Sequence, residues 1–106
     1  MGDYLRPRDL DEALQALTRP CTVLAGGTDF YPARVGRSVT EDVLDIAGIA
    51  ALRGISETPT GWRLGATTTW SELVEAELPS LFDGLKQAGR EVGGRQIQNA
   101  GTLAGN

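Results

Sequence analysis

Thr22-Val23-Leu24-Ala25-Gly26-Gly27-Thr28-Asp29 runs an apolar strand into a double glycine and then into a helix start. The glycines let the backbone turn through conformations that a side chain would block, and let a ligand approach the main chain closely. Free N–H groups and the positive dipole end of the following helix face the same space, so the turn suits an anion such as a phosphate. A strand, two glycines and a capping Thr or Asp also describe an ordinary tight connection between a strand and a helix. A second small-residue loop, Asn99-Ala100-Gly101-Thr102-Leu103-Ala104-Gly105-Asn106, adds weight to the ligand reading, because two such loops can clamp one diphosphate.

Working outward from the first loop, Leu10 to Leu17 is predicted to be a helix, with Leu10, Ala13, Leu14 and Leu17 on one apolar face. Asp9 is placed to cap it, with Glu12 three residues on, and Pro20 cannot continue it. Cys21 to Ala25 fits a short strand buried on both faces. After the glycines, Pro32 is compatible with a helix only in its first turn, which puts the start at Thr28 or Asp29. Asp29 reads as a cap whose charge is tied to backbone N–H groups, since a carboxylate would repel a diphosphate. Thr28, a neutral donor, is the better side-chain contact. Val43 to Ala47 reads as a second buried strand, parallel to the first through a right-handed crossover and ended by Gly48. Ile49 to Leu52 gives at most one helical turn.

Gly54 to Glu57 and Trp62 to Ala66 are expected to pair as a hairpin across Thr58-Pro59-Thr60-Gly61. Thr69-Trp70-Ser71-Glu72 is a capping box opening a helix with Trp70, Leu73, Val74 and Leu78 on one face. Pro79 breaks that helix and opens another, from Ser80 to about Val92, with Leu81, Leu85, Ala88 and Val92 as its buried stripe. Gly93-Gly94 stop it, and a polar segment runs on to the second loop. Both tryptophans read as core or interface residues, and Glu72, Glu75 and Glu77 as a solvated helix face.

The 106 residues carry a net charge of −4 with dispersed arginines, which disfavours nucleic-acid binding. No apolar run approaches the roughly 20 residues that span a bilayer, and no secretory signal opens the sequence, so a cytoplasmic location is the expectation. The lone Cys21 forms no internal disulfide or iron–sulfur site, and the absence of histidine removes a Ser-His-Asp triad, a Cys-His pair and the usual zinc sites. No catalytic or metal-ligating constellation is present, so any redox chemistry must reside in a bound cofactor. The spacing G-x-G-x-x-G of a Rossmann dinucleotide site is also missing.

Three stretches together resemble the flavin-binding subunit or domain of the molybdenum hydroxylases, the xanthine dehydrogenase and carbon monoxide dehydrogenase family. They are Leu24-Ala25-Gly26-Gly27-Thr28-Asp29, Leu64-Gly65-Ala66-Thr67-Thr68-Thr69-Trp70-Ser71-Glu72-Leu73 and Gln96-Ile97-Gln98-Asn99-Ala100-Gly101-Thr102-Leu103-Ala104-Gly105-Asn106. The resemblance implies an α+β fold: a small N-terminal lobe with parallel strands and helices, 1–53, followed by the beginning of a larger lobe with an antiparallel sheet, 54–106. It also implies FAD, held by two loops. Those loops are Val23, Leu24, Ala25, Gly26, Gly27, Thr28, Asp29 and Phe30 on one side, and Thr102, Leu103, Ala104, Gly105 and Asn106 on the other. Ala104 stands where the family frequently has glycine, which requires a negative φ there. The family's domain continues past Asn106, so the sequence is expected to be an incomplete domain. An N-terminal lobe beginning almost at Met1 is what the family's separate medium subunits show. The implied partners are an iron–sulfur subunit, a molybdopterin subunit, and NAD or another electron acceptor. A non-catalytic module that docks partner subunits, its glycine loops only structural turns, remains the alternative.

Overall fold

The computed structural model describes residues 2–26 and 41–105, and its architecture is α+β. Three short strands, β1 (Tyr4–Leu5), β2 (Thr22–Leu24) and β3 (Val43–Asp45), form a parallel sheet in the order β1-β3-β2. Leu44 pairs with Leu5 on one side and Val23 on the other. As the central strand, β3 is buried along its whole length. The expected strand burial therefore holds for β3 and fails for β2, an edge strand whose Val23 is 52% exposed. The expected extension of β3 to Ala47 is cut short, because Asp45 Oδ1 accepts from the Ala47 N–H at 2.9 Å and caps a 3-10 turn over Ile46–Gly48. The same carboxylate receives the Tyr4 hydroxyl and lies 3.7 Å from Arg6 Nε, which ties β1 to β3.

The helix α1 (Leu10–Ala16) forms as its cap dictates, with Asp9 Oδ1 accepting the Glu12 N–H at 2.8 Å. Its packing face differs from the expected one. Ala13 and Ala16 lie against Leu44, Ile49 and Leu5, while Leu10, Leu14 and Leu17 are exposed. Small side chains let the helix sit close to the short sheet, and that rotation turns the leucine stripe outward.

The hairpin β4 (Ile55–Thr58) and β5 (Gly61–Leu64) pairs in antiparallel register around Pro59 and Thr60. The helix α2 (Trp70–Glu75) carries both halves of the capping box. It ends before the expected Leu78, and the Lys86 ammonium donates to the Ala76 carbonyl at its end. A 3-10 turn over Ser80–Phe82 leads into α3 (Asp83–Arg90). The stripe expected to be buried here is not: Leu81 is 73% exposed and Leu85 36%. The buried residue of α3 is Gly89, above the Trp70 ring, where an added Cβ would come within 2.9 Å of Cε3. Gly93, at φ +55°, makes the left-handed turn that separates α3 from a fourth helix, α4 (Arg95–Ala100). Sequence reasoning left α4 as a polar connection.

Packing at Leu44 and at Gly89 fixes the two halves separately. Leu44→Ala empties the centre of the parallel sheet and is expected to cost about 2–5 kcal/mol. Gly89→Ala overfills the α2–α3 contact and is expected to cost about 1–3 kcal/mol. Urea unfolding of each variant measures both.

Candidate functional site

All three parallel strands end at one edge of their sheet, and Ala25 and Gly26 continue β2 beyond it. The crevice outside the carboxyl ends of parallel strands is the usual place for a ligand in such sheets. Here the crevice is met by the second loop. A Cβ on Gly26 would overlap the Ala100 carbonyl oxygen and lie 3.1 Å from Gly101 Cα. A Cβ on Gly105 would lie 3.1 Å from the Ala25 Cβ and 2.5 Å from Thr102 Oγ1. Two small-residue loops from distant parts of the chain thus touch through main chain and methyl groups alone.

The second loop is fastened from behind. The Trp70 N–H donates to the Gly101 carbonyl at 3.1 Å, Leu103 N–H to Thr68 at 3.0 Å and Ala104 N–H to Ala66 at 3.1 Å. Thr69 and Thr102 add an isolated antiparallel bridge. The threonine run beneath is itself locked: Thr67 Oγ1 donates to the Leu52 carbonyl at 2.9 Å, and Thr68 Oγ1 accepts the Gly54 N–H at 3.0 Å. Thr67, Thr68 and Thr102 are all buried. Thr102 Oγ1 accepts the Gly105 N–H at 3.2 Å, which closes the loop on itself and leaves the hydroxyl proton available to donate.

Of the residues singled out from sequence, the structure brings together Ala25, Gly26, Thr102 and Gly105. Leu24 is buried in the sheet and Val23 lies on its open edge. Leu103 is half-buried and Ala104 exposed, and no described residue other than glycine has a positive φ, which meets the requirement at Ala104. Gly27, Thr28, Asp29, Phe30 and Asn106 lie outside the described residues, as does the helix expected after the first loop. The sequence reading missed the support given by Thr67 and Thr68, although the Thr67-Thr68-Thr69 run was in view as part of a motif. No described residues form a His, Cys, Asp or Glu cluster able to hold a metal ion. No helix among the described residues is long and apolar enough to cross a membrane.

Comparison with known proteins identifies what this pair of loops belongs to. The sequence matches the FAD binding domain in molybdopterin dehydrogenase over residues 1–106. The chain belongs to that family. FAD is accordingly its cofactor. This FAD-binding domain is 31% identical over 109 residues to the carbon monoxide dehydrogenase medium chain of Afipia carboxidovorans, covering 98% of this chain and 38% of the relative. It is equally similar, at 31% over 109 residues, to the glyceraldehyde dehydrogenase medium chain of Sulfolobus acidocaldarius, with 96% and 38% covered. A solved structure of carbon monoxide dehydrogenase from Hydrogenophaga pseudoflava, lacking the Mo-pyranopterin moiety of its molybdenum cofactor, superposes with a TM-score of 0.81 at 27% identity. That match covers 98% of this chain and 38% of the other. The chain therefore spans a little over a third of the length of these relatives.

The residues present fit the cofactor's diphosphate. Residues 22–26 and 100–105 carry no charged side chain, and at Gly26 and Gly105 the two loops come close together with no side chain of either glycine between them. An anion held there would meet backbone dipoles and hydroxyls, while the Asp45 carboxylate at the end of β3 is already engaged by Tyr4, Arg6 and the Ala47 N–H.

Behind the second loop, Glu72 holds the α2 start. Its carboxylate accepts the Thr69 N–H at 3.0 Å and pairs with Arg53 Nε at 3.0 and 3.1 Å. Partial burial pushes its pKa up, but the Thr69 backbone bond, the Arg53 guanidinium and the Thr69 hydroxyl outweigh this and hold it below the ordinary glutamate value. A carboxyl with a depressed folded pKa contributes stability in full above its unfolded value, and that contribution is lost as pH falls through the folded one. The melting temperature should therefore drop on acidification below the ordinary glutamate range. Glu72→Gln should flatten that part of the profile, as thermal melts between neutral and acid pH will show.

Proposed function

We propose that this domain is the flavin-holding part of a medium chain in a multi-subunit molybdenum-containing hydroxylase or dehydrogenase. In this reading electrons leave a molybdopterin subunit, pass through the clusters of an iron–sulfur subunit, reach the FAD and go on to NAD or another acceptor. The naming of both curated relatives as medium chains supports this assignment. Residues 1–53 act as one lobe and 54–106 as the start of the next, with the cofactor between them, and the complex works in the cytoplasm.

The observation that carries the reading is the meeting of the two glycine loops at the carboxyl edge of the parallel sheet. Main-chain N–H groups of Gly26, Gly27, Thr28 and Gly105 bind the diphosphate, with the Thr28 and Thr102 hydroxyls and the Asn106 amide as side-chain partners. Thr102 is suited to this because its oxygen accepts the Gly105 N–H and its hydroxyl proton remains free to donate. The bound FAD supplies the hydride and single-electron chemistry. The protein's task is to orient it and to replace water around the diphosphate with fixed dipoles, at no cost in charged side chains.

A second reading draws on the same contact: both glycines have steric reasons internal to the protein, as they would in turns that serve packing alone. Flavin content separates the two. The native protein, purified with the chains that accompany it, is expected to carry flavin absorbance in proportion to this subunit. Gly27→Asp places a carboxylate beside the diphosphate and should lower flavin affinity by about tenfold or more, equivalent to roughly 1.4 kcal/mol, with the circular dichroism unchanged. Unaltered flavin content in a folded Gly27→Asp protein would remove the loop assignment.

A further inference from the structure

Gly26 differs from Gly105 in what its missing side chain faces. A Cβ there would run into the Ala100 carbonyl oxygen and the Gly101 Cα, which belong to the opposite loop and are both main-chain atoms. Backbone atoms at a helix end cannot rotate aside as the tip of a side chain can. On the far side, Gly101 is held by Trp70, and the loop beyond it by Thr68 and Ala66. Among the described residues Gly26 has no comparable backing: it follows an edge strand of three residues. A group added at position 26 must therefore push the two loops apart, against a second loop that is fastened from behind.

We infer that Gly26 is a positioning residue for the cofactor: the bare Cα of Gly26 against the end of α4 sets the separation of the two loops, and so the width of the diphosphate crevice. The inference rests on the flavin reading above and adds a division of roles within the first loop. Glycine at 26 is needed for contact between protein segments, whatever its N–H gives to the ligand. Ala25 and Gly105 form the second point of the same contact, with the Ala25 Cβ 3.1 Å from where a Gly105 side chain would begin. The two loops thus meet at two places through atoms that no rotamer change can withdraw, so their separation is set by the protein itself. Preorganisation of this kind raises affinity by removing the ordering cost from the binding step.

The test uses the full-length subunit stripped of flavin and titrated with FAD. Gly26→Ala is expected to raise the dissociation constant at least tenfold. Amide exchange at Trp70, Leu103 and Ala104, which reports the fastening of the second loop, should stay at wild-type rates. A role in folding alone would instead loosen those amides together with the rest. Gly2→Ala is the steric control: its Cβ would crowd the Glu41 and Asp42 backbone, at 2.8 Å from Asp42 N, at the amino end of the parallel sheet and away from the two-loop contact. It should lower the melting temperature while leaving FAD affinity within twofold. If Gly26→Ala does not fold, Ala25→Val, which adds two methyls where Ala25 faces Gly105, takes its place with the same expected rise. FAD affinity within twofold of wild type in whichever folded variant is measured overturns the inference while the flavin reading stands. Failure of the unmodified subunit to take up FAD overturns both.

Discussion

A carbonyl oxygen pressed against a Cα that bears no side chain is the contact on which this arrangement depends. Gly26 and Ala100 come from halves of the chain with different cores, a parallel sheet with its alanine-faced helix and a hairpin followed by three short helices, which are joined elsewhere by the Thr67–Leu52 and Glu72–Arg53 bonds. Burial at Leu44 and Ile49 organises the first half, and burial at Leu73 and Trp70 the second. Neither cluster dictates how the halves approach. What does so at the site is steric: two backbones come together as closely as main chain permits, which glycine at 26 allows and other residues would prevent.

The polar interactions around this contact are arranged to support one side of it. Thr67, Thr68 and Glu72 look like surface residues by composition, yet two of them are buried and the third is engaged by a backbone N–H and a guanidinium. Their bonds run from the hairpin to the start of α2 and on to the second loop, so the loop rests on hydrogen-bonded hydroxyls. Buried hydroxyls without partners would weaken the fold, whereas satisfied ones specify a single geometry. The first loop has no such scaffold among the described residues and takes its place from the second.

Features with local causes were legible in the sequence. The Asp9 cap, the Thr69–Glu72 capping box, the hairpin turn at Pro59-Thr60 and the left-handed Gly93 each follow from two to four adjacent residues. Features set by distant packing were not. The stripes Leu10–Leu14–Leu17 and Leu81–Leu85 have helical spacing, but spacing says only that a face is apolar, and here Ala13 and Gly89 do the packing. The helix α4 escaped notice because its single apolar residue, Ile97, makes no stripe, although Gly101 just beyond its end is a usual stop signal. A two-residue strand such as β1 has no periodicity to read.

The site shows the same division with a different result. Two glycine-containing loops were recognisable as a pair, and their proximity agrees with a shared ligand, but the reason for one glycine changes when the structure is considered. From sequence, a glycine in such a turn is expected to make room for a phosphate or to adopt a positive φ. Gly26 makes room for the protein itself, and its side-chain direction is occupied by the end of α4. A residue can thus be indispensable to a binding site through the partner loop it admits. In a crevice whose two walls are the backbones of separate lobes, the width of the opening is a property of the fold, and affinity for the ligand follows from how firmly that width is held.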